Sequence, residues 1–451
     1  MSALPLQANA RRPERPNESP SPTLKVGGLA ETSFAGLEAL RAWSAVAVVT
    51  LHACVAYADR PMPGLAWSTL DHSSRPVSVL MWSIEVVIMP IFLVMAGFLA
   101  ARSFARGGRW HTFRSRLGRL GKPLLLAMIF VLPLDLYAWL LGWVADGVVG
   151  AAKLRSLKLD GLIDRHLWGT SHLWFLQYLI TYIALLALVW RQEVPAERAS
   201  VATNRKAASW MLWGTGAVAV VILIVHPEVV WGFQHSFWPV LTKWVYSGAF
   251  FVAGVLLWRS DPHLLTSAAR SQRRVALGTL CLAAAVALGL WHLDQATVTE
   301  NAADVQFGGA RLLQTAGLPR WTLAILTVAA AWTVTVGLLG TCQRWVGTPS
   351  RLTSRLAESS LWIYLLHHPL VGLSHVSFKH AVWQLPVAVK LMGAVAVGVG
   401  VPLVVHQLLL GRLRVVASAS EADLAEGSGS ETRPAILLAA ERPEEPLRRA
   451  G

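Results

Sequence analysis

The feature that most constrains this chain is a series of ten apolar segments, each close to the length that an α-helix needs to cross a lipid bilayer. They cover residues 36–57, 77–101, 123–145, 172–190, 209–226, 237–258, 275–291, 321–340, 359–377 and 385–411. The bilayer core offers no hydrogen-bond partners to the backbone, so such segments fold as helices. Composition agrees, because 54% of the 451 residues are hydrophobic and only 15% are charged, against about 25% charged in an ordinary soluble domain. The sequence therefore predicts an all-α, polytopic membrane protein with about ten transmembrane helices.

The basic residues outside these segments predict the orientation in the membrane. The two tails and the alternate loops that share their side carry 28 Lys and Arg residues, whereas the loops on the other side carry nine. By the positive-inside rule, both termini are predicted to be cytoplasmic, and an even number of helices agrees with this. The net charge of +14 is spread over short loops rather than gathered in one groove. We therefore expect no nucleic-acid partner.

The two ends of the chain differ in composition from its middle. Residues 1–33 and 412–451 are rich in Pro, Ser, Glu and Arg, and these ends are predicted to be disordered cytoplasmic tails. Residues 34–411 then form one transmembrane domain. Its three cysteines have neither a metal-ligand spacing nor a paired framework. We expect no metal site and no tightly bound cofactor.

The first apolar segment carries two ionisable residues, Arg41 and His52. Their spacing of 11 residues places them within about 20° of each other around a helix, with His52 about 16 Å further along the axis. Ionisable groups in membrane segments usually face a cavity or a partner, which predicts a functional face. The alternative is an arginine that extends to the inner boundary and a histidine that bonds a neighbouring helix.

Two acidic residues in the next segments are candidate partners for that histidine. Glu85 is predicted to lie at a depth similar to that of His52, where its carboxylate would orient the imidazole and raise its basicity. The alternative is a structural pair between Glu85 and Lys243. Asp135 in the third segment is a further buried acid, and it too has Lys243 as an alternative partner.

The loop at residues 102–122 carries seven basic residues and no acidic one. At the least this is a topology signal. Arg116 and Arg119, however, lead directly into the third helix, and their guanidinium groups have the geometry to hold phosphates of a cytoplasmic, nucleotide-like donor. Both interpretations remain open from charge alone.

Aromatic and histidine side chains mark two further stretches. Trp174 is predicted at the outer interface, where aromatic residues form the interfacial belt or contact a sugar. Tyr364, His367 and His368 precede Pro369, which is predicted to interrupt the ninth helix. Irregular helices at membrane depth normally line a cavity, so these polar groups are predicted to adjoin a site.

Six motifs taken together resemble acyltransferase family 3 of the membrane-bound O-acyltransferases. The first is LEALRAW with His52 at 37–52, which matches the family's signature of an arginine followed after ten residues by a histidine. The others are MPIFLVMAGFLA at 89–100, RLGRLGKP at 116–123, HLWFLQYL at 172–179, GAFFVAGVLL at 248–257 and SLWIYLLHHPLV at 360–371. The resemblance covers residues 34–411. Within the family, the motifs resemble in particular the branch that adds succinyl groups to periplasmic glucans. Each motif is weak alone, but six in order within ten predicted helices are specific.

The resemblance implies an acyl-CoA-dependent O-acyltransferase in the bacterial inner membrane. Acyl-CoA, as succinyl-CoA or acetyl-CoA, would be a cytoplasmic co-substrate, and the acceptor would be a hydroxyl of a periplasmic or envelope glycan. On this basis we expect Arg41, Arg116 and Arg119 to bind the donor phosphates. His52 would act as general base with Glu85 as its partner, or would form an acyl-histidine. Trp174, Tyr364 and His367 are assigned to the acceptor side.

Other function classes use similar residues. A transporter or flippase of a glycan or an acylated small molecule would use inward-facing charges as a relay, and it would be expected to show repeated halves with interrupted helices. We find no such repeat in the sequence. A non-catalytic glycan-binding scaffold would tolerate the loss of His52. The acyl group, the acceptor and the oligomeric state, including a homo-oligomer, are left open by the sequence.

Overall fold

The computed structural model describes residues 35–156, 168–190, 201–234, 236–297, 318–382 and 384–427. Within these ranges the regular structure is helical and contains no β-strand. The predicted N-terminal tail and residues 428–451 of the predicted C-terminal tail lie outside the described residues.

The described residues contain ten long helices. They are α1 (Ala35–Cys54), α2 (Arg75–Gly107), α3 (Arg109–Ala145), α4 (Trp174–Val189), α5 (Val201–Val225), α6 (Leu241–Ser260), α7 (Ser271–Thr297), α8 (Leu318–Trp345), α9 (Arg351–His380) and α10 (Val387–Gly427). Each of the ten predicted segments overlaps one of them, which confirms the all-α, polytopic fold. The last helix continues to Gly427, past the predicted end of its apolar segment at residue 411.

The helices differ in how well they suit a bilayer. Among the described residues, eight helices are long and apolar enough to cross a membrane, and α5 has a shorter apolar part at Trp210–Val225. Helix α9 is 30 residues long but is not among the eight. It is polar for its length, because it carries His367, His368 and His375, all of them buried. Polar residues buried within a membrane bundle are typical of a functional helix.

Helix α1 occupies a central position, since it packs against α2, α8, α9 and α10. Helix α3 packs against both α9 and α4. The polar face of α9 therefore lies between α1 on one side and α3 on the other. This arrangement brings side chains of α1, α3 and α9 together inside the bundle.

Two glycines allow α2 and α6 to approach closely. A Cβ atom on Gly97 would overlap the carbonyl oxygen of Phe251, and one on Gly254 would overlap that of Val94. Small residues at helix interfaces permit such contact in membrane proteins, where apolar burial adds little between helices. Gly254, within the motif GAFFVAGVLL, therefore serves close helix packing.

We expect Gly254→Leu to destabilise the protein by about 2 kcal/mol or more, because the larger side chain must push α6 away from α2. The measurement is the thermal unfolding midpoint of the purified protein in detergent. Gly214→Leu is the matched control, since nothing lies within 4 Å of a Cβ at Gly214. Equal midpoints for the two variants would contradict a tight α2–α6 contact.

The loop between α1 and α2 folds back onto the bundle. Gly142 of α3 leaves room for it, because a Cβ there would overlap the carbonyl oxygen of Ser68. Lys390 of α10 forms a buried ion pair with Asp71 of the loop at 2.6 Å. Burial opposes ionisation of Asp71, but hydrogen bonds from Lys390 and His72 lower the pKa of its carboxyl below the usual value. The loop is thus fixed at both its middle and its end.

Candidate active site

Four buried or half-buried histidines meet inside the bundle: His52 of α1, His172 just before α4, and His367 and His368 of α9. The His52 ring centroid lies 4.7 Å from that of His368 and 5.1 Å from that of His367. The His172 ring lies 4.7 Å from that of His368 and 5.3 Å from that of His367. We refer to these four side chains as the histidine cluster.

A carboxylate orients one member of the cluster. Nδ1 of His368 lies 2.7 Å from Oδ1 of Asp135, and the Oγ of Ser171 donates a hydrogen bond of 2.7 Å to Oδ2. The side chains of His368 and Asp135 are 1% and 0% exposed. The structure therefore pairs Asp135 with His368, not with Lys243, the alternative that the sequence left open. Because Nδ1 faces the carboxylate, Nε2 of His368 is the nitrogen left for chemistry.

Glu85 does not take the predicted place beside His52. In the part of the chain that the structure describes, its charged neighbour is Lys243 of α6. The Nζ of Lys243 in turn lies 3.9 Å from the ring centroid of Trp174. The structure thus places Glu85 in the electrostatic environment of Lys243, with no direct ion pair between these two described residues, and surrounds the imidazole of His52 with other rings.

Two cluster histidines have their protons fixed by backbone carbonyls. Nε2 of His172 donates to the carbonyl oxygen of Leu365 at 3.0 Å, and Nδ1 of His367 donates to that of Tyr364 at 2.8 Å. A carbonyl only accepts, so these nitrogens carry the protons. The opposite nitrogens, His172 Nδ1 and His367 Nε2, are buried without a hydrogen-bond partner, as is Nδ1 of His52. Nδ1 of His172 and Nε2 of His367 therefore have lone pairs that accept no hydrogen bond.

Trp67 of the α1–α2 loop covers the cluster. Its ring stacks on His52 at 5.9 Å and meets His368 edge-on at 4.8 Å between centroids. Its Nε1 donates a 2.8 Å hydrogen bond to Nδ1 of His375, and its carbonyl oxygen accepts one from Trp143. Trp67 is 1% exposed. It separates the imidazoles from the side of the bundle that the positive-inside rule assigns to the exterior.

The cluster also contains the donor types of a metal site. Ligand atoms of Asp135, His172 and His368 lie within 4.8 Å of one another, a group found among the described residues. Both oxygens of Asp135, however, already accept hydrogen bonds from Ser171 and His368. The same contacts are those of a carboxylate that orients a catalytic imidazole.

A cavity of about 400 Å³ leads toward the cluster from the opposite end of the bundle. Arg41, Arg102 and Arg116 line it, together with one acidic residue, Glu38. Its lining also includes Val48, one turn before His52 on α1, and Tyr364, one turn before His368 on α9. The remaining walls are mostly apolar, and the volume is within the range of small-molecule sites.

The predicted arginines differ in their positions. Arg41 and Arg116 both line the cavity, as the shared functional face requires. Nη2 of Arg116 also donates hydrogen bonds to the Leu99 carbonyl oxygen at 2.9 Å and to the Ser103 Oγ at 2.8 Å, which ties α3 to α2. Arg119 is exposed and is not among the residues that line the cavity.

The three side chains assigned to the acceptor side lie in different surroundings. His367 belongs to the histidine cluster, whereas Tyr364 lines the cavity and donates its hydroxyl hydrogen to the carbonyl oxygen of His172. Trp174 contacts Lys243 and Tyr178 instead. The sequence interpretation did not include Trp67, and it named Asp135 and His368 without pairing them. The sequence signal for Asp135 and His368 is the rarity of ionisable residues inside membrane segments.

Comparison with known proteins agrees with this architecture. The model of an acyltransferase domain, Acyl_transf_3, matches residues 34–406. The chain is 25% identical over 346 residues to glucans biosynthesis protein C of Salmonella typhi and of Salmonella typhimurium, covering 74% of this chain and 81% of each relative. No solved structure matches it. The family match spans every helix that contributes to the cluster and the cavity, and the chain belongs to acyltransferase family 3.

Proposed function

We propose that this membrane acyltransferase moves an acyl group from acyl-CoA to a hydroxyl group of an envelope glycan. The observation that carries the proposal is the cavity lined by Arg41 and Arg116, whose lining also includes Val48 and Tyr364, one helical turn before His52 and His368. Phosphates of a donor would bind at the arginines, and its thioester would reach the imidazoles. A single molecule would span both.

The donor end fits an anionic, elongated ligand. The cavity is lined by three basic residues, Arg41, Arg102 and Arg116, and by one acidic residue, Glu38. The arginines lie at the end of the bundle that the positive-inside rule assigns to the cytoplasm. Arginine binds phosphate through two parallel hydrogen bonds. The apolar walls beyond the arginines suit the uncharged arm that carries the thioester. Arg119, exposed three residues after Arg116, would contact the outermost phosphate.

The reacting end offers groups for acyl transfer. His52 lies one helical turn beyond Val48, which lines the cavity. As a general base it would take the proton of the acceptor hydroxyl, which attacks the thioester carbon. As a nucleophile it would carry the acyl group itself. In both cases the carbon–sulfur bond breaks and CoA leaves.

The acceptor is proposed from the relatives. Glucans biosynthesis protein C is named for glucan biosynthesis, so a glucan is the first acceptor to test, with succinyl and acetyl as the first acyl groups. We propose the bacterial inner membrane as the location, because there the donor cavity opens to cytoplasmic CoA and the covered side of the cluster faces the glycans.

The test is mass spectrometry of envelope glycans from cells with the protein, with His52→Ala, and without the protein. We expect a mass increment of one acyl group only with the wild-type protein. Proteoliposomes that contain the purified protein should also release CoA when acyl-CoA and the unacylated glycan are both present. Identical glycans from all three strains would contradict a glycan acceptor. Movement of a glycan without thioester consumption would favour the transporter or flippase class.

A further inference from the structure

The two central imidazoles of the cluster have different partners. His368 has a carboxylate at 2.7 Å from Nδ1, supplied by Asp135. In the described residues, no carboxylate bonds to His52, whose neighbours are the rings of Trp67, His367 and His368. A base that keeps a proton in a buried site needs a negative partner, whereas a nucleophile that becomes a neutral acyl-imidazole does not.

We propose that His52 carries the acyl group and that His368, positioned by Asp135, is the base for the acceptor hydroxyl. This inference deepens the proposed acyl transfer and rests on it. It divides the reaction into a donor step at His52 and an acceptor step at His368. The two ring centroids lie 4.7 Å apart, so the two imidazoles are neighbours in the cluster.

In the donor step, the unprotonated nitrogen of His52 attacks the thioester carbon. The carbon–sulfur bond breaks, and the thiolate of CoA takes the proton from the other nitrogen of His52. The products are neutral acyl-His52 and CoA with a free thiol. No proton is gained or lost overall.

In the acceptor step, Nε2 of His368 takes the proton of the hydroxyl as its oxygen attacks the acyl carbon of acyl-His52. The carbon–nitrogen bond then breaks, and His368 returns the proton to the departing His52 nitrogen. The ester is released and both imidazoles are again neutral. Asp135 stabilises the transient positive charge on His368, as a carboxylate does in a hydrolase triad.

Ser171 supports this assignment. Its Oγ donates to the second oxygen of Asp135 at 2.7 Å, and its backbone adopts φ 48°, a left-handed conformation that is uncommon for a residue with a side chain. Such a conformation is found preferentially at functional sites. The turn before α4 therefore holds the carboxylate, and each oxygen of Asp135 has a hydrogen-bond partner.

The experiment separates the two steps in purified full-length protein in lipid nanodiscs. Succinyl-CoA or acetyl-CoA is added first without acceptor, and CoA release and the intact protein mass are measured. Glucan extracted from cells that lack the protein is added second, and turnover is measured. The wild type should release one CoA per protein, gain one acyl mass, and then turn over.

We expect His368→Ala and Asp135→Asn to keep the single release of CoA and the acyl mass, while turnover falls by about 10²–10⁴-fold. His52→Ala should lose both. Asp135→Glu should recover part of the turnover, because it restores a carboxylate. Asp146→Asn is the matched control, since that acid bonds Lys379 and Thr69 outside the cluster. Its turnover should match that of the wild type.

Three results would overturn the inference while leaving acyl transfer intact. One is a wild type that turns over without ever gaining the acyl mass. Another is a folded His368→Ala variant that turns over as fast as the wild type. The third is loss of both steps together in Asp135→Asn, whose near-identical shape guards against misfolding. Failure of the wild type to release CoA with either donor would instead contradict the proposed function itself.

Discussion

Replacing His52 with alanine is expected to reduce acyl transfer by at least about 10²–10⁴-fold, whether the imidazole acts as base or as nucleophile. His52 lies one helical turn beyond Val48, which lines the cavity, and its ring centroid is 4.7 Å from that of His368. No hydrogen bond to Nδ1 of His52 is lost in the variant, because that atom has no partner in the fold. Its effect on stability should accordingly be small.

The measurement is the initial rate of CoA release with glucan present, alongside the thermal unfolding midpoint. His406→Ala is the matched control, since His406 is also buried but bonds Ser359 between α9 and α10, away from the cluster. The control should retain most of its rate. A His52→Ala variant with a rate close to that of the wild type would remove His52 from the reaction.

The second large effect is expected at the arginines. Arg41→Ala should raise the KM for acyl-CoA by about 10- to 100-fold, because each charge-assisted hydrogen bond contributes about 1.5–3 kcal/mol. The same change at Arg116 should have a similar effect on KM and should also lower the unfolding midpoint. That side chain ties α3 to the end of α2 through Leu99 and Ser103. Arg41 is therefore the cleaner test of donor binding.

Two comparisons sharpen this test. Arg119→Ala should raise KM less than Arg41→Ala, because Arg119 is exposed outside the cavity lining. Arg114→Ala is the control for general charge, since Arg114 is also exposed and does not line the cavity. If all four alanine variants had the same KM as the wild type, the arginines would serve only to orient the protein in the membrane.

The helices could be predicted from the sequence because each apolar segment of a membrane protein encodes its own structure. The bilayer fixes the length of the segment and the backbone closes its hydrogen bonds internally. Helix α9 is the informative case. Its histidines make it less apolar than the others, yet its apolar pattern was sufficient to identify it as a helix. The predicted interruption at Pro369 was wrong, because α9 runs through this residue as one continuous helix.

The Arg41–His52 face could be predicted for a similar reason, since both residues lie on one helix and their geometry follows from the spacing. The pairing of Asp135 with His368 could not, because the two residues are 233 positions apart on different helices. Depth in the membrane left His52 and Lys243 equally plausible as partners of Glu85. Only the packing of α3 against α9, and of α2 against α6, decides between these acids.

The loop that carries Trp67 across the histidine cluster bears on fidelity. An acylated imidazole is readily hydrolysed, and every water molecule that reaches it converts donor into free acid without modifying a glycan. Trp67 is buried, is hydrogen-bonded to His375 and accepts a hydrogen bond from Trp143, so its indole covers the histidine cluster. In the proposed reaction, the ratio of acceptor modified to thioester consumed would therefore depend on this loop as well as on the reacting groups. A chain with the same imidazoles and a looser cover would consume the same donor for fewer products.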